Sequence, residues 1–549
     1  FRMVTTPQAL QTEAQILARV EAGKGTVEPI VPASEAPGRL QAAAALPLNA
    51  GQLGAATMII ASSDRTVIVQ GIAGAGKSTM LASVARVAEA EGRTILGLAF
   101  QNKMVADMAT GAGIKARTIA SFVLENEKHL ANPHGPRFDE ARSALAGTML
   151  IVDESSMVSS EDMLRLQDIS ALMGVDKLVL VGDRQQLSSI DAGKSFALIQ
   201  AGGGSIARMD ENIRQRADQL RTVAARANVG QAGQALGVLG EKVIEHGAPA
   251  EHAAERWLAL APGDRDVTAV FASGREARAT INEEIQKGLA AEGTLRGEAV
   301  QLSVYERVNL TREELRYPSS YRAGQTIEVG RGGAPDLGLR AGRFDILKVQ
   351  ANGRIEISDG RRRFRIDPQR ITPGERRDQI ALTERKDIAL REGDRIRWTA
   401  NDKERGLHNA ALARILGVDA TGVTVETAGC EKLTLAPGDP MLSRLDLAYA
   451  LNMHMAQGIT TDRAITVMSS YERNLSNQRL FNVGVTRVRD DLTLVVDDKE
   501  KLTRQLDMNP GNKTSALETV GRIDIDRPGG GGPGGTKGPF DPGPIPAGI

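Results

Sequence analysis

Residues 66–78 read TVIVQGIAGAGKS. TVIVQ, 66–70, is a short apolar run that reads as a buried strand, and GIAGAGKS, 71–78, fills the pattern G-x-x-x-x-G-K-[ST] completely. Strand, glycine-rich loop and helix in that order make a cradle for phosphate. Gly71, Gly74 and Gly76 let backbone amides turn inward where side chains would block the approach. Lys77 supplies a cation for the β- and γ-phosphates, and Ser78 offers a hydroxyl to Mg²⁺. Ala73, Ala75 and Thr79 complete the stretch that would wrap a nucleotide. The following helix turns its positive end to the same place. Its apolar positions Leu81, Val84, Ala85 and Ala88 keep helical spacing as far as Gly92. The competing reading is a chance glycine cluster in a chain with 58 glycines. The flanking strand and helix argue against it.

TMLIVDE, 148–154, separates nucleotide hydrolysis from mere binding. An apolar strand ends there in two carboxylates. Asp153 at the strand's end can hold Mg²⁺, and Glu154 can orient and polarise an attacking water. An Asp-Glu pair alone is usually a solvated turn. Downstream of a P-loop it indicates an NTPase using ATP and Mg²⁺.

The 549 residues suggest roughly three to four domains. Lys and Arg number 68, as do Asp and Glu, so bulk charge gives no argument for nucleic acid and any DNA surface must be a local stripe. Aromatics make up 3%, which limits base-stacking platforms. Cys430 is the sole cysteine, excluding a disulfide framework and a zinc cluster and suiting a reducing cytoplasm. No stretch approaches the length of a membrane span, and no signal peptide is visible. The chain begins at Phe1 and reads as a fragment or processed product.

The expected organisation has six parts. Residues 1–46 form an amphipathic helix (Leu10, Ile16, Leu17, Val20) and a Gly/Pro/Ala linker. Residues 47–215 alternate strands, at 66–70, 94–99, 148–152 and 177–181, with helices, which implies a parallel sheet. A second α/β pattern occupies 216–324 and resumes over 436–505. Between them, 325–435 carries short β-like runs with glycine turns, read as one or two small inserted β-barrels. Residues 506–549 form a tail, Gly/Pro-rich from about 525, whose composition cannot bury a core. The fold class is therefore α/β with two nucleotide-binding-type sheets, a β-barrel insertion and a disordered tail.

Further motifs surround these sheets. VGDRQQLSSI, 181–190, carries Gln186, placed to reach a γ-phosphate. MDENIRQR, 209–216, carries Arg214, and GVTRVRDDL, 484–492, carries Arg487. HMAQGITTD, 454–462, carries Gln457 and Gly458; LNAGQLGAA, 48–56, places Gln52 upstream of the P-loop; and TIASF, 118–122, follows the second strand. In order and spacing these segments resemble the helicase motifs of superfamily 1, RecD-like branch, over about 45–500. GDRIRWTANDKERGLHNA, 393–410, and LDLAYALNMHMAQGITTDRA, 445–464, are similar to the helicase part of conjugative relaxase-helicases of the TraI/TrwC type, as is the opening VTTPQALQTEAQIL, 4–17.

The resemblance implies two RecA-like domains with an SH3-like insertion in the second. It implies that Gln52 reads adenine and that Arg214 and Arg487 act as arginine fingers from opposite sides of a cleft. Phe100, Thr118, Phe122, His454 and Gln457 fall where such helicases touch DNA, and Phe122 reads equally as a core residue. Two basic runs with an interleaved aromatic, GRRRFRI at 360–366 and RIRWT at 395–399, offer Arg361, Arg363 and Trp398 as further contacts, with a solvated edge strand as the bland alternative. Asn452 and Met455 stand where relatives carry Thr and Lys, which removes a phosphate contact. The implied activity is ATP-dependent 5′→3′ movement on single-stranded DNA and its unwinding. The implied partners are an upstream relaxase domain or its relaxosome and type IV secretion proteins. Two other readings stay open: a vestigial fold that only binds single-stranded DNA, and a repair helicase without a relaxase.

Overall fold

The computed structural model describes residues 5–186, 194–308, 310–372, 379–402, 404–419, 421–456, 459–472, 475–511 and 515–525. The chain divides into two compact units, Phe1–Glu284 with Ala450–Ile549, and Ile285–Tyr449.

The first unit holds two parallel sheets. One contains β1 (Thr66–Gly71), β2 (Thr94–Ala99), β3 (Ala116–Thr118), β4 (Thr148–Val152), β5 (Lys177–Gly182) and β6 (Ser205–Met209), in the order β3-β2-β4-β5-β1-β6. Every neighbouring pair is parallel. β1, β4 and β5 are buried along their whole length, which is why they read as continuous apolar runs. Alternate residues still serve opposite faces: Val67 and Val69 pack into one core with Leu81, Val84, Ala85 and Ala88, and Ile68 packs into the other with Leu150 and Val152. With all strands running one way, their C-terminal ends collect at one edge. That edge carries the loop after β1, Asp153 after β4, Asp183 after β5 and Asp210–Gln215 after β6. The other sheet orders Ala450–Asn452, Thr268–Ala272, Thr461–Met468, Val488–Val496 and Val243–Glu245, again all parallel.

The segment read as a linker contains a helix, Ala36–Ala43, with a proline in its first turn. Ile30, Val31 and Leu40 join the core, so the Pro/Gly content marks a helix start rather than a spacer. The N-terminal helix Pro7–Ala22 buries Leu10, Ile16, Leu17 and Val20 as its period required. It also buries Glu13, 2% exposed. The Glu13 carboxylate accepts hydrogen bonds from the backbone N–H groups of Ala516 (3.0 Å) and Leu517 (2.9 Å) and from the Ser515 hydroxyl. The segment 515–525 is thereby packed: Ala516, Leu517 and Ile525 belong to the core beneath the helix. Part of the stretch expected to be tail is thus core, and the Gly/Pro-rich run from 526 lies outside the described residues. Glu13→Ala strands these buried donors, and we expect a loss of about 2–3 kcal/mol. Urea denaturation measures it, with faster tryptic cleavage at Arg522 as the local readout.

The second unit has two antiparallel sheets. One contains Arg296–Arg307, Gln325–Val329, Gly342–Val349, Ile355–Ser358, Arg363–Ile366 and Ile380–Glu392. The other contains Arg395–Trp398, Leu412–Asp419, Gly422–Thr427, Lys432–Leu435 and Leu445–Leu447. The unit is longer than the 325–435 read from the sequence. Arg296–Arg307 pairs with Ile380–Glu392 from Arg307↔Thr383 to Arg296↔Glu392, which draws the earlier strand into the insert.

Candidate nucleotide site

The loop after β1 is shaped by positive φ at Gly74 (+85°) and Gly76 (+74°) and by what crowds it. A Cβ on Gly74 would lie 2.7 Å from Arg214 Cβ, and one on Gly76 2.3 Å from Gln52 Nε2. The exit of β6 is zipped to the loop, with Ile72 N–H donating to Met209 O (3.1 Å) and Ile213 N–H to Gly74 O (2.9 Å). Helix Lys77–Ala90 begins at Gly76, and the Lys77 ammonium donates to Gly71 O at 3.1 Å.

The structure corrects the role expected of Gln52. This residue is 3% exposed. Its Nε2 donates to Ala75 O (3.2 Å) and Gly76 O (3.3 Å), and its Oε1 accepts from Asn49 N–H (3.0 Å) in a capping box. Both ends of the amide are engaged, so as placed Gln52 braces the loop and presents no free edge to a base.

A cavity of about 360 Å³ opens in front of the loop. Its walls are Ala73–Ser78, Asp153 and Glu154 after β4, Gln186 after β5, Arg214 after β6, and Thr460 and Arg487 from the segments around the second sheet. Gly71 stays behind the loop as the acceptor for Lys77, and Thr79 is half-buried on the first helical turn, outside the cavity wall. Helix Asn102–Ala112 closes another side with Met104, Asp107, Met108, Thr110, Gly111 and Ala112. This wall was missed in the sequence. Asp107 and Gly111 are four apart, as are Met104 and Met108, and that helical spacing was its available signal.

Glu154 sits at φ +48°, a left-handed conformation that costs a non-glycine residue about 1 kcal/mol. The turn buries its Oε2 with no hydrogen-bond partner. Burial pushes the Asp153 carboxyl up to about 6; the neighbouring Glu154 adds to this and Lys77 opposes it. Burial lowers Arg214 to about 9, with Arg487 repelling it and Glu154 opposing the shift. Arg487 is lowered first by burial, against Glu154 and Asp183. Burial likewise lowers Lys103, which Asp107 opposes and Arg487 reinforces.

Hydrogen bonds hold the arginines in place. Arg214 Nη1 donates to Thr486 O (2.8 Å), Gln215 Nε2 donates to Thr486 O (3.2 Å) and Val488 O (3.0 Å), and Arg487 Nη2 donates to Gln186 Oε1 (2.7 Å). Arg487 Nε is buried without a partner. The cavity therefore gathers cations short of an anion and carboxylates short of a cation. A polyphosphate carrying a divalent metal ion fits both needs.

Residues 47–247 match the model of an AAA domain, and 304–390 that of the DNA relaxase TraI 2B/2B-like domain. These matches make the chain similar to RecD-like superfamily 1 helicases and to TraI. It is 26% identical to the multifunctional conjugation protein TraI of Escherichia coli K12 over 91% of this chain and 30% of that protein. It is 27% identical to the conjugal transfer protein TraA of Rhizobium radiobacter over 79% of this chain and 31% of that one. With the ATP-dependent RecD2 DNA helicase of Deinococcus radiodurans it shares 24% identity over 78% of this chain and 46% of that one. The chain thus spans under a third of the TraI and TraA proteins it matches. A solved Bacteroides Pif1 helicase with ADP-AlF3 and single-stranded DNA aligns at 15% identity and a TM-score of 0.49, covering 87% of this chain and 97% of that one.

Two of the DNA contacts expected from the sequence are buried. Phe122 is fully buried, packed in the core with Ile119 and Val123, and the Arg117 guanidinium lies 5.9 Å from its ring centroid. Trp398 is 1% exposed. Neither ring can meet a base from these positions. Thr118 caps helix Ile119–Asn126, its hydroxyl accepting from Ser121 N–H at 3.3 Å. Phe100 remains 38% exposed after β2. In the second unit Arg361 is exposed, and the Arg363 side chain is 76% exposed and lies 3.6 Å from Glu356. Gln457, Gly458 and the His454 side chain lie outside the described residues. Among the described residues no helix is long and apolar enough to cross a membrane.

Proposed function

We propose that this helicase chain is an ATP-driven motor that moves 5′→3′ on single-stranded DNA and serves as the unwinding part of a conjugative relaxase. The observation that carries the reading is the convergence on one cavity of Lys77, the Asp153–Glu154 pair and two buried arginines, Arg214 and Arg487. In this reading the loop amides, Lys77 and both arginines hold the phosphates of ATP. Ser78 and Asp153 would hold Mg²⁺, which when bound would supply charge neutralisation during phosphoryl transfer. Glu154, in the cavity wall with one carboxylate oxygen left without a hydrogen-bond partner, accepts a proton from the attacking water. Gln186 and Arg487 bring the second sheet to the reacting end, so that cleft closure and hydrolysis depend on one another.

The TraI and TraA relatives support the conjugative setting, and with it an upstream relaxase, relaxosome or type IV secretion partners; the site of action in this reading is the cytoplasm. A vestigial fold that only binds single-stranded DNA would not need to keep Lys77 and both carboxylates in one cavity. The test is ATP hydrolysis with and without single-stranded DNA, followed by unwinding of duplexes bearing a 5′ or a 3′ tail. We expect DNA-stimulated hydrolysis and unwinding from the 5′ tail alone. DNA binding without hydrolysis would establish the vestigial reading, and unwinding from the 3′ tail would overturn the direction.

A further inference from the structure

The residue of β1 just before Gly71 is Gln70, a side chain outside the P-loop pattern and 4% exposed. Its Nε2 donates to Asp183 Oδ1 at 2.9 Å. Its Oε1 accepts from Arg184 N–H and from Gln200 Nε2, both at 3.1 Å. The other Asp183 oxygen, Oδ2, accepts from Gln186 Nε2 at 3.3 Å, and Gln186 Oε1 accepts from Arg487 Nη2 at 2.7 Å. Asp183 and Gln186 are both fully buried and Arg487 is 3% exposed. A continuous line of hydrogen bonds thus leaves the strand that carries the P-loop and ends on the arginine of the second sheet.

The polarity of this line is fixed by its middle member. An ionised carboxylate only accepts, so each amide must turn its NH₂ toward Asp183. Gln186 is left with its oxygen facing away, where the Arg487 guanidinium meets it. Gln70 holds Oδ1 and Gln185 N–H reaches the same oxygen at 3.0 Å, which leaves Oδ2 to Gln186. Without Gln70 the buried carboxylate loses a donor, and nothing from β1 ties down the turn that carries Gln186.

We propose that Gln70 is a positioning residue for ATP hydrolysis, acting through Asp183 and Gln186 to hold Arg487 at the edge of the cavity. The proposal rests on the ATPase reading above. It contrasts with a plain role for Gln70 in tying β1 to β5, which would affect the sheet and not Arg487 in particular.

A double-mutant cycle on the full chain separates the two. Gln70→Leu, Arg487→Ala and the double variant are compared with the wild type in single-turnover hydrolysis with saturating oligo-dT. Affinity for a fluorescent ADP analogue is measured on the same samples. We expect Gln70→Leu to lower kcat about tenfold or more, with KM and ADP affinity within about twofold. In the Arg487→Ala background the same substitution should change the rate by less than about twofold, because the group it positions is gone. An equal fold-loss in both backgrounds, or nucleotide affinity falling in step with kcat, would overturn the proposal. If Gln70→Leu does not fold, Gln70→Asn, which keeps the amide on a shorter stem, goes through the same cycle with the same two outcomes. A wild type that hydrolyses no ATP would overturn the ATPase reading and this inference together, whereas an active wild type with an additive cycle overturns the inference alone.

Discussion

Lys77→Ala should reduce ATP hydrolysis by about 10³-fold or more while leaving single-stranded DNA affinity within a few-fold. The lysine stands in the first turn of its helix at the cavity wall, and its ammonium rests on Gly71 O at 3.1 Å. That bond is a resting position, since the loop's shape comes from Gly74, Gly76 and the Gln52 brace. Alanine therefore removes the cation without unfolding the loop. With it goes the only lysine among the described residues of the cavity's walls; Arg214 and Arg487 remain, but they are held by Thr486 O and Gln186. Hydrolysis and oligo-dT binding by fluorescence anisotropy, measured on one preparation, give the comparison. Near-normal turnover would show that the loop does not hold the transferred phosphate. A parallel collapse of DNA binding would show that the substitution reaches beyond the cavity.

Much of the nucleotide cavity was legible because its parts are local. A parallel strand buried on both faces must read as an apolar run, and the residue after it must lie at the sheet's C-terminal edge. Runs at 66–70, 94–99, 148–152 and 177–181 accordingly coincide with β1, β2, β4 and β5 to within a residue. What was not legible depends on partners distant in sequence. Gln52 looks the same whether it faces a base or the carbonyls of Ala75 and Gly76. Nothing near Glu13 announces Ser515 as its partner. Arg296–Arg307 joins the insert only because Ile380–Glu392 pairs with it.

For two aromatics offered as DNA contacts, the sequence also carries the signal of burial. Ile119, Phe122, Val123 and Asn126 recur at i, i+3, i+4 and i+7, and all four are the buried stripe of one helix. In RIRW the period of two puts Trp398 on the same face as Ile396, and both are buried. In RFRI, 363–366, the same alternation turns Arg363 and Arg365 outward and sends Ile366 inward. Charge and an aromatic in one run therefore marked two faces of a strand. If that strand meets DNA, its arginines meet it and Phe364, half-buried against the core, does not.

Arg487→Ala should lower the rate of hydrolysis by about 10³–10⁵-fold, equivalent to roughly 4–7 kcal/mol of transition-state stabilisation, with a much smaller loss of nucleotide affinity. The side chain is 3% exposed, its Nη2 is held by Gln186 at 2.7 Å and its Nε has no partner. Burial holds its charge below the ordinary arginine range, and Arg214 is lowered in part by Arg487 itself. Two guanidiniums that repel each other in one cavity wall are stabilised together when negative charge grows beside them, which happens as the γ-phosphoryl departs. Removing Arg487 relieves the repulsion in the empty state, so the variant should fold and Arg214 should return toward its usual range. The same removal leaves the transition state with one arginine in place of two. Arg487→Lys keeps the charge but not the planar fork that reaches both Gln186 and phosphate, and should recover little of the rate. Single-turnover hydrolysis set against the dissociation constant of a fluorescent ADP analogue decides the point. A loss confined to affinity, with bound ATP turning over at the wild-type rate, would reduce Arg487 to a ground-state phosphate contact.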